Sequence, residues 1–154
     1  QSVDFRVMKR YIDSTLVREK AVCQNLRNCF VKQLKTILFI EDERELLVTV
    51  GQLLRDTGYA VIEFEKAEDA LERMRQSIPD LILADIKLPG IDGFDLIKEV
   101  NKTEAWAKIP FVFLTAFNDL KARLDAKKLG ALEYITKPFE IEYLVSRIRE
   151  IVPP

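Results

Sequence analysis

Apolar residues along the chain follow two rhythms. Thr36 to Ile40, Asp80 to Ala84, Ile109 to Leu114 and Leu132 to Thr136 are short, mostly apolar runs, each followed by a polar or charged residue, and they predict buried strands. Tyr59 to Phe64 alternates as a further strand. Between these runs the spacing becomes helical. Arg44 to Asp56 carries Leu46, Leu47, Val50, Leu53 and Leu54 on one side, with Gly58 placed to stop it. Ala67 to Ser77 turns Ala70, Leu71 and Met74 inward, ahead of Ile78 and Pro79. Leu88 to Gly93 is turn-rich and leads into a short helix from Phe94 to Asn101. Asn118 to Leu129, capped by Gly130, and Glu140 to Ile151 complete the series.

Strands that alternate with helices imply an α/β domain. Its strands are parallel, its crossovers right-handed and its helices cover both sheet faces. In such a doubly wound sheet the ligand site lies beyond the carboxyl ends of the strands. Asp85, the pair Glu41 and Asp42, Thr115 and Lys137 all fall at that edge. Three carboxylates gathered there repel one another unless a cation joins them, and magnesium suits an all-oxygen set. The residues therefore read as a metal-assisted phosphoryl acceptor site. The plainer alternatives are a strand-terminal acid capping a loop, a surface acid cluster and an exposed lysine.

Ahead of the main domain, Tyr11 to Gln33 holds no glycine or proline, and Ile12, Leu16, Cys23, Leu26 and Phe30 recur at helical spacing. An additional amphipathic helix is expected there, packed on its own domain, paired with another chain, or belonging to an upstream domain. The division expected is a basic helical extension over 1–35 and a main domain over 36–154. Residues 1–35 hold eight Lys and Arg against three Asp and Glu, leaving sixteen against twenty-two for the rest. An acidic main domain without a recognition-helix motif gives no expectation of direct nucleic-acid binding.

The 154 residues suffice for one core plus a short element. No apolar run nears the ~20 residues of a membrane span, and the start lacks a secretory layout, so a cytoplasmic protein is expected. Because Gln1 stands where an initiating methionine would, the chain is expected to be trimmed, processed or part of something longer. Histidine is absent and Cys23 and Cys29 are the only cysteines, too few ligands for a zinc site of the usual kind. Reduced, structural cysteines are the reading. Ser-His and Cys-His nucleophiles are excluded, and any phosphohistidine must be carried by another molecule or domain.

Residues 36–152 resemble the response-regulator receiver domain of two-component signalling. The resemblance rests on Ile37 to Glu43 (ILFIEDE), Asp80 to Gly93 (DLILADIKLPGIDG), Phe113 to Ala116 (FLTA) and Gly130 to Phe139 (GALEYITKPF), in that order. It implies a flavodoxin-like sheet of five strands in the order 2-1-3-4-5 with five helices. It implies that Asp85 accepts a phosphoryl group, that Asp42 and Asp85 bind magnesium directly, that Lys87 contributes its backbone carbonyl, and that Glu41 acts through water. Lys137 would reach a phosphoryl oxygen, aimed by a cis bond to Pro138. Thr115 and Tyr134 would be the switch hydroxyl and switch aromatic, acting on the face made by the fourth helix, fifth strand and fifth helix.

The implied partners are a sensor histidine kinase or histidine phosphotransfer protein and a downstream protein target. A homodimer through the amino-terminal helix or the switch face is left open. The domain would be regulatory rather than an enzyme, while assisting its own phosphorylation and dephosphorylation. Glu41 departs from the commoner aspartate, and Lys87 and Phe117 stand two residues beyond Asp85 and Thr115, positions that influence how water reaches an acyl phosphate. Phe117 is expected to shield it. The competing readings are a phosphate-independent interaction module and a magnesium-dependent aspartyl phosphatase. The second normally places its nucleophile after the first strand, a layout that Glu41 to Glu43 matches poorly.

Overall fold

The computed structural model describes residues 33–154. The expected amino-terminal helix, its pairing and both cysteines lie outside the described residues. The strands are β1 (Thr36–Ile40), β2 (Ala60–Phe64), β3 (Leu81–Ala84), β4 (Phe111–Thr115) and β5 (Glu133–Thr136). The helices are α1 (Arg44–Asp56), α2 (Ala67–Gln76), α3 (Gly93–Lys102), α4 (Leu120–Lys128) and α5 (Ile141–Ile151). All strand pairings are parallel, in the order β2-β1-β3-β4-β5, as the resemblance implied.

Successive strand residues point to opposite faces, which divides the core in two. Leu38, Ile40, Ile82 and Ala84 pack against α2 and α3, with Ala126 of α4 in the same cluster. Ile37, Phe39, Leu81 and Leu83 face α1 and α5, through Leu47, Val50, Leu54, Leu144 and Ile148. Burying each such Leu or Ile contributes roughly 1.5–3 kcal/mol, so the central strands are fixed in register from both sides. The edge strand β2 keeps the expected alternation, with Ile62 and Phe64 against the first cluster and Val61 against the second, although all five of its residues are only half-buried.

Several boundaries shift for identifiable reasons. Asp80 stays outside β3, its carboxylate accepting from the Thr36 N–H at 2.8 Å and from Lys35 Nζ at 2.9 Å. Strand β4 begins at Phe111 rather than Ile109 because Pro110 has no N–H for the ladder, although its carbonyl accepts from Ile82 at 2.9 Å. Helix α4 begins after Asp119, whose side chain caps the Ala122 N–H at 2.8 Å. Tyr59 precedes β2, is buried, and donates its hydroxyl to the Val152 carbonyl at 2.7 Å, tying the start of β2 to the end of α5.

Candidate functional site

The sheet ladder itself gathers the site. The Glu41 N–H donates to the Phe64 carbonyl at 3.0 Å, Asp85 to Ile40 at 3.0 Å, and Lys137 to Thr115 at 2.8 Å. Backbone pairing thus runs past the strand ends and carries these side chains to one edge. Glu41 and Thr115 are fully buried, Asp85 is 5% exposed and Asp42 is exposed.

At the centre, Lys137 Nζ donates to Glu41 Oε2 at 2.6 Å and to Asp85 Oδ2 at 2.7 Å. The remaining oxygens accept backbone amides: Glu41 Oε1 from Glu43 at 3.3 Å, and Asp85 Oδ1 from Lys87 at 3.1 Å. Carboxylate oxygens of Glu41, Asp42 and Asp85 lie within 4.8 Å of one another. One ammonium therefore faces a cluster of three acids. Burial pushes the Glu41 carboxyl above its usual range despite the bonds from Lys137. Burial acts on Lys137 in the opposite sense, but its bonds to Asp85 and Glu41 outweigh it and hold the ammonium above its ordinary value. The peptide bond between Lys137 and Pro138 is cis.

The start of α3 lies close behind Asp85. A Cβ on Gly93 would lie 2.4 Å from the Asp85 carbonyl oxygen and 2.7 Å from Ile86 Cα, so only glycine allows this approach. Its N–H donates to the Ile86 carbonyl at 2.8 Å, next to Asp85.

Thr115 and Tyr134 form an adjoining group joined through Phe117. The Thr115 hydroxyl accepts from the Phe117 N–H at 3.4 Å, and the Tyr134 hydroxyl donates to the Phe117 carbonyl at 2.9 Å. Tyr134 is half-buried, and burial raises its phenol above the usual value, with Asp119 acting in the same sense. Phe117 is 44% exposed at the rim. Two further side chains carry no sequence motif. Arg123 stands 5.1 Å over the Tyr134 ring, and Glu68 of α2 accepts the Ile91 N–H at 3.1 Å. Both look in sequence like ordinary exposed helix charges; the glycine-rich turn at Leu88 to Gly93 is the one hint that something approaches closely.

The family model described as the response regulator receiver domain matches residues 37–149. The chain belongs to that family. It is 39% identical over 113 residues to the transcriptional regulatory protein DltR of Streptococcus agalactiae, covering 73% of this chain and 50% of that protein. It is 34% identical over 118 residues to the phosphate regulon transcriptional regulatory protein PhoB of Pseudomonas aeruginosa, covering 77% and 52%. The chain thus spans about half the length of the curated relatives it matches.

Among solved structures, a response regulator from Chloroflexus aurantiacus aligns with a TM-score of 0.74 at 33% identity, covering 79% of this chain and 100% of that one. The non-phosphorylated HemR receiver domain of Leptospira biflexa aligns at 0.72 and 32%, covering 78% and 95%. The receiver domain is a regulatory module of two-component signalling, and its acid cluster is of a kind able to take a metal ion. Among the described residues no helix is long and apolar enough to cross a membrane.

Proposed function

We propose that this receiver domain takes a phosphoryl group onto Asp85 from a phosphohistidine of a sensor kinase or phosphotransfer protein and uses it to switch a protein-binding face. The observation that carries the reading is the placement of Asp85 and Glu41, both buried, on a single lysine, with Asp42 beside them. An Asp85 carboxylate oxygen attacks the phosphorus in line. A phosphorus–oxygen bond forms as the bond to the donor imidazole nitrogen breaks, and that nitrogen keeps the electron pair.

An all-oxygen donor set with excess negative charge fits a hard divalent cation, and magnesium suits it. Asp42 and Asp85 would hold it directly, the Lys87 carbonyl would complete the protein ligands, and Glu41 would act through water. Bound there, magnesium would offset the charge of the acids and of the transferring phosphoryl oxygens. Lys137 supplies a fixed positive charge beside the acceptor oxygen, where negative charge accumulates.

Once modified, Asp85 offers new acceptor oxygens. The Thr115 hydroxyl, which accepts from the Phe117 N–H, donates its own proton to one of them, and Tyr134 follows inward, altering α4, β5 and α5. A groove of about 700 Å³ lies beside Lys137, lined by Leu46, Leu53, Pro138, Phe139 and Ile141, and this is where a donor protein would rest to reach Asp85. The test is intact-mass measurement of the wild type and Asp85→Asn after incubation with a small acyl phosphate, with and without magnesium. A gain of one phosphoryl group only in the wild type with magnesium is expected. A folded, metal-bound wild type that stays unmodified would point to a phosphate-independent module or a donor-specific receiver, and the same mass measurement with a phosphohistidine donor would overturn the reading if it too left Asp85 unmodified.

A further inference from the structure

The segment from Lys87 to Asp92 joins β3 to α3, and besides the bonds by which Asp92 caps α3, three sets of hydrogen bonds hold it. At its base the Ile86 carbonyl accepts from the N–H groups of Leu88 at 3.1 Å and Gly93 at 2.8 Å. At its start the Lys87 N–H donates to Asp85 Oδ1 at 3.1 Å. At its tip the Ile91 N–H donates to Glu68 Oε1 at 3.1 Å, across 23 residues of chain. Only the last comes from a side chain of another element.

Gly90 is part of the same contact. Its φ is +77°, and a Cβ there would fall 2.2 Å from Glu68 Oε1. The bare Cα therefore leaves the space through which the Glu68 carboxylate reaches the neighbouring amide. The turn and the glutamate fit as a pair.

The hold at Lys87 differs in kind from the hold at Ile91. It depends on a carboxylate oxygen of Asp85, the group that under the proposed function must bind cation and phosphoryl. Once that oxygen also serves a cation or phosphorus, it has less charge to offer the Lys87 N–H, and the loop leans more on its other anchors. Resting on the proposed function, we propose that Glu68 is a positioning residue, a tether that keeps the Lys87 peptide in place for the metal while Asp85 is engaged. Support of this sort, one step behind the ligands, typically governs metal affinity by tenfold or more. Glu68 is exposed and acts through one hydrogen bond, so a smaller factor is expected.

The experiment uses the full chain with magnesium chloride as probe. Magnesium affinity is measured by calorimetry and amide exchange by mass spectrometry in the metal-free protein, for wild type, Glu68→Ala and Glu68→Gln. Expected for Glu68→Ala are faster exchange across Leu88 to Ile91, an unchanged melting temperature and magnesium binding weakened about three- to tenfold. Glu68→Gln keeps an acceptor oxygen and restores most of both. Faster exchange with wild-type magnesium affinity, or unchanged exchange, overturns the proposal and leaves the proposed function standing. A wild type that binds no magnesium overturns both, and is recognised before any variant is compared.

Discussion

Strand β3 has an aspartate just outside each end, and each aspartate meets a lysine, yet the two ends differ in charge balance. Asp80 and Lys35 pair at 2.9 Å with side chains 33% and 48% exposed, and the second Asp80 oxygen takes the Thr36 N–H. One acid meets one base and an amide, in water. Asp85 and Lys137 pair at 2.7 Å with 7% and 16% exposure, and the same ammonium must also serve Glu41. Identical residue types, five positions apart, make a structural clamp at one end and a site with unmet negative charge at the other. Burial and the count of partners decide which is which.

The comparison breaks most sharply at Lys137. Lys137→Met leaves Glu41 and Asp85 buried without their cation and is expected to lower stability by about 3 kcal/mol in metal-free buffer. Urea unfolding measures it, and added magnesium should restore part of the loss by binding the folded state alone. Little change in the metal-free protein would mean that the acids are neutral there and the charge contrast is false.

Asp80→Asn tests the other end and should cost about 1 kcal/mol, the scale of a charged hydrogen bond in a partly exposed place. Burial alone would raise the Asp80 carboxyl, but the Thr36 amide and Lys35 outweigh it and hold it below its usual value. Such a group stabilises the fold above its unfolded-state pKa, and that contribution disappears as the pH falls through the depressed folded value. Asp80→Asn should therefore flatten the acid limb of a stability profile, and an unaltered limb would count against the clamp. The smallest effect expected is kinetic. Phe117→Ala should speed loss of the phosphoryl group about two- to fivefold by admitting water, read as the decay of the one-phosphoryl mass. An unchanged decay removes Phe117 from that role.

Much of this contrast was legible in the sequence. Apolar runs closed by charged residues placed Asp85, Glu41 and Lys137 at one edge, because a parallel sheet puts the ends of its strands together whatever the side chains do. The ladder bonds of Glu41, Asp85 and Lys137 bear that out. The role of Asp80 was not legible: an acid at the start of a strand reads as part of the strand until its bond to Thr36 is seen. Glu68 was hidden for a similar reason. A glutamate in the first turn of a helix is favoured there by the helix dipole alone, and nothing local marks its reach to Ile91. Long-range side-chain to backbone bonds leave no periodicity behind, whereas burial does.

The fit of Gly93 behind Asp85 bears on how this protein can be redesigned. A single methyl at that position would meet the Asp85 carbonyl oxygen and the backbone of Ile86, neither of which can turn aside as a flexible side chain would. By contrast, a Cβ on Gly130 would meet nothing within 4 Å, leaving only its φ of +92° as a constraint. A saturation library across both sites should recover asparagine and a few other residues at 130 and glycine alone at 93, so a biosensor graft has room to enter at the first and none at the second.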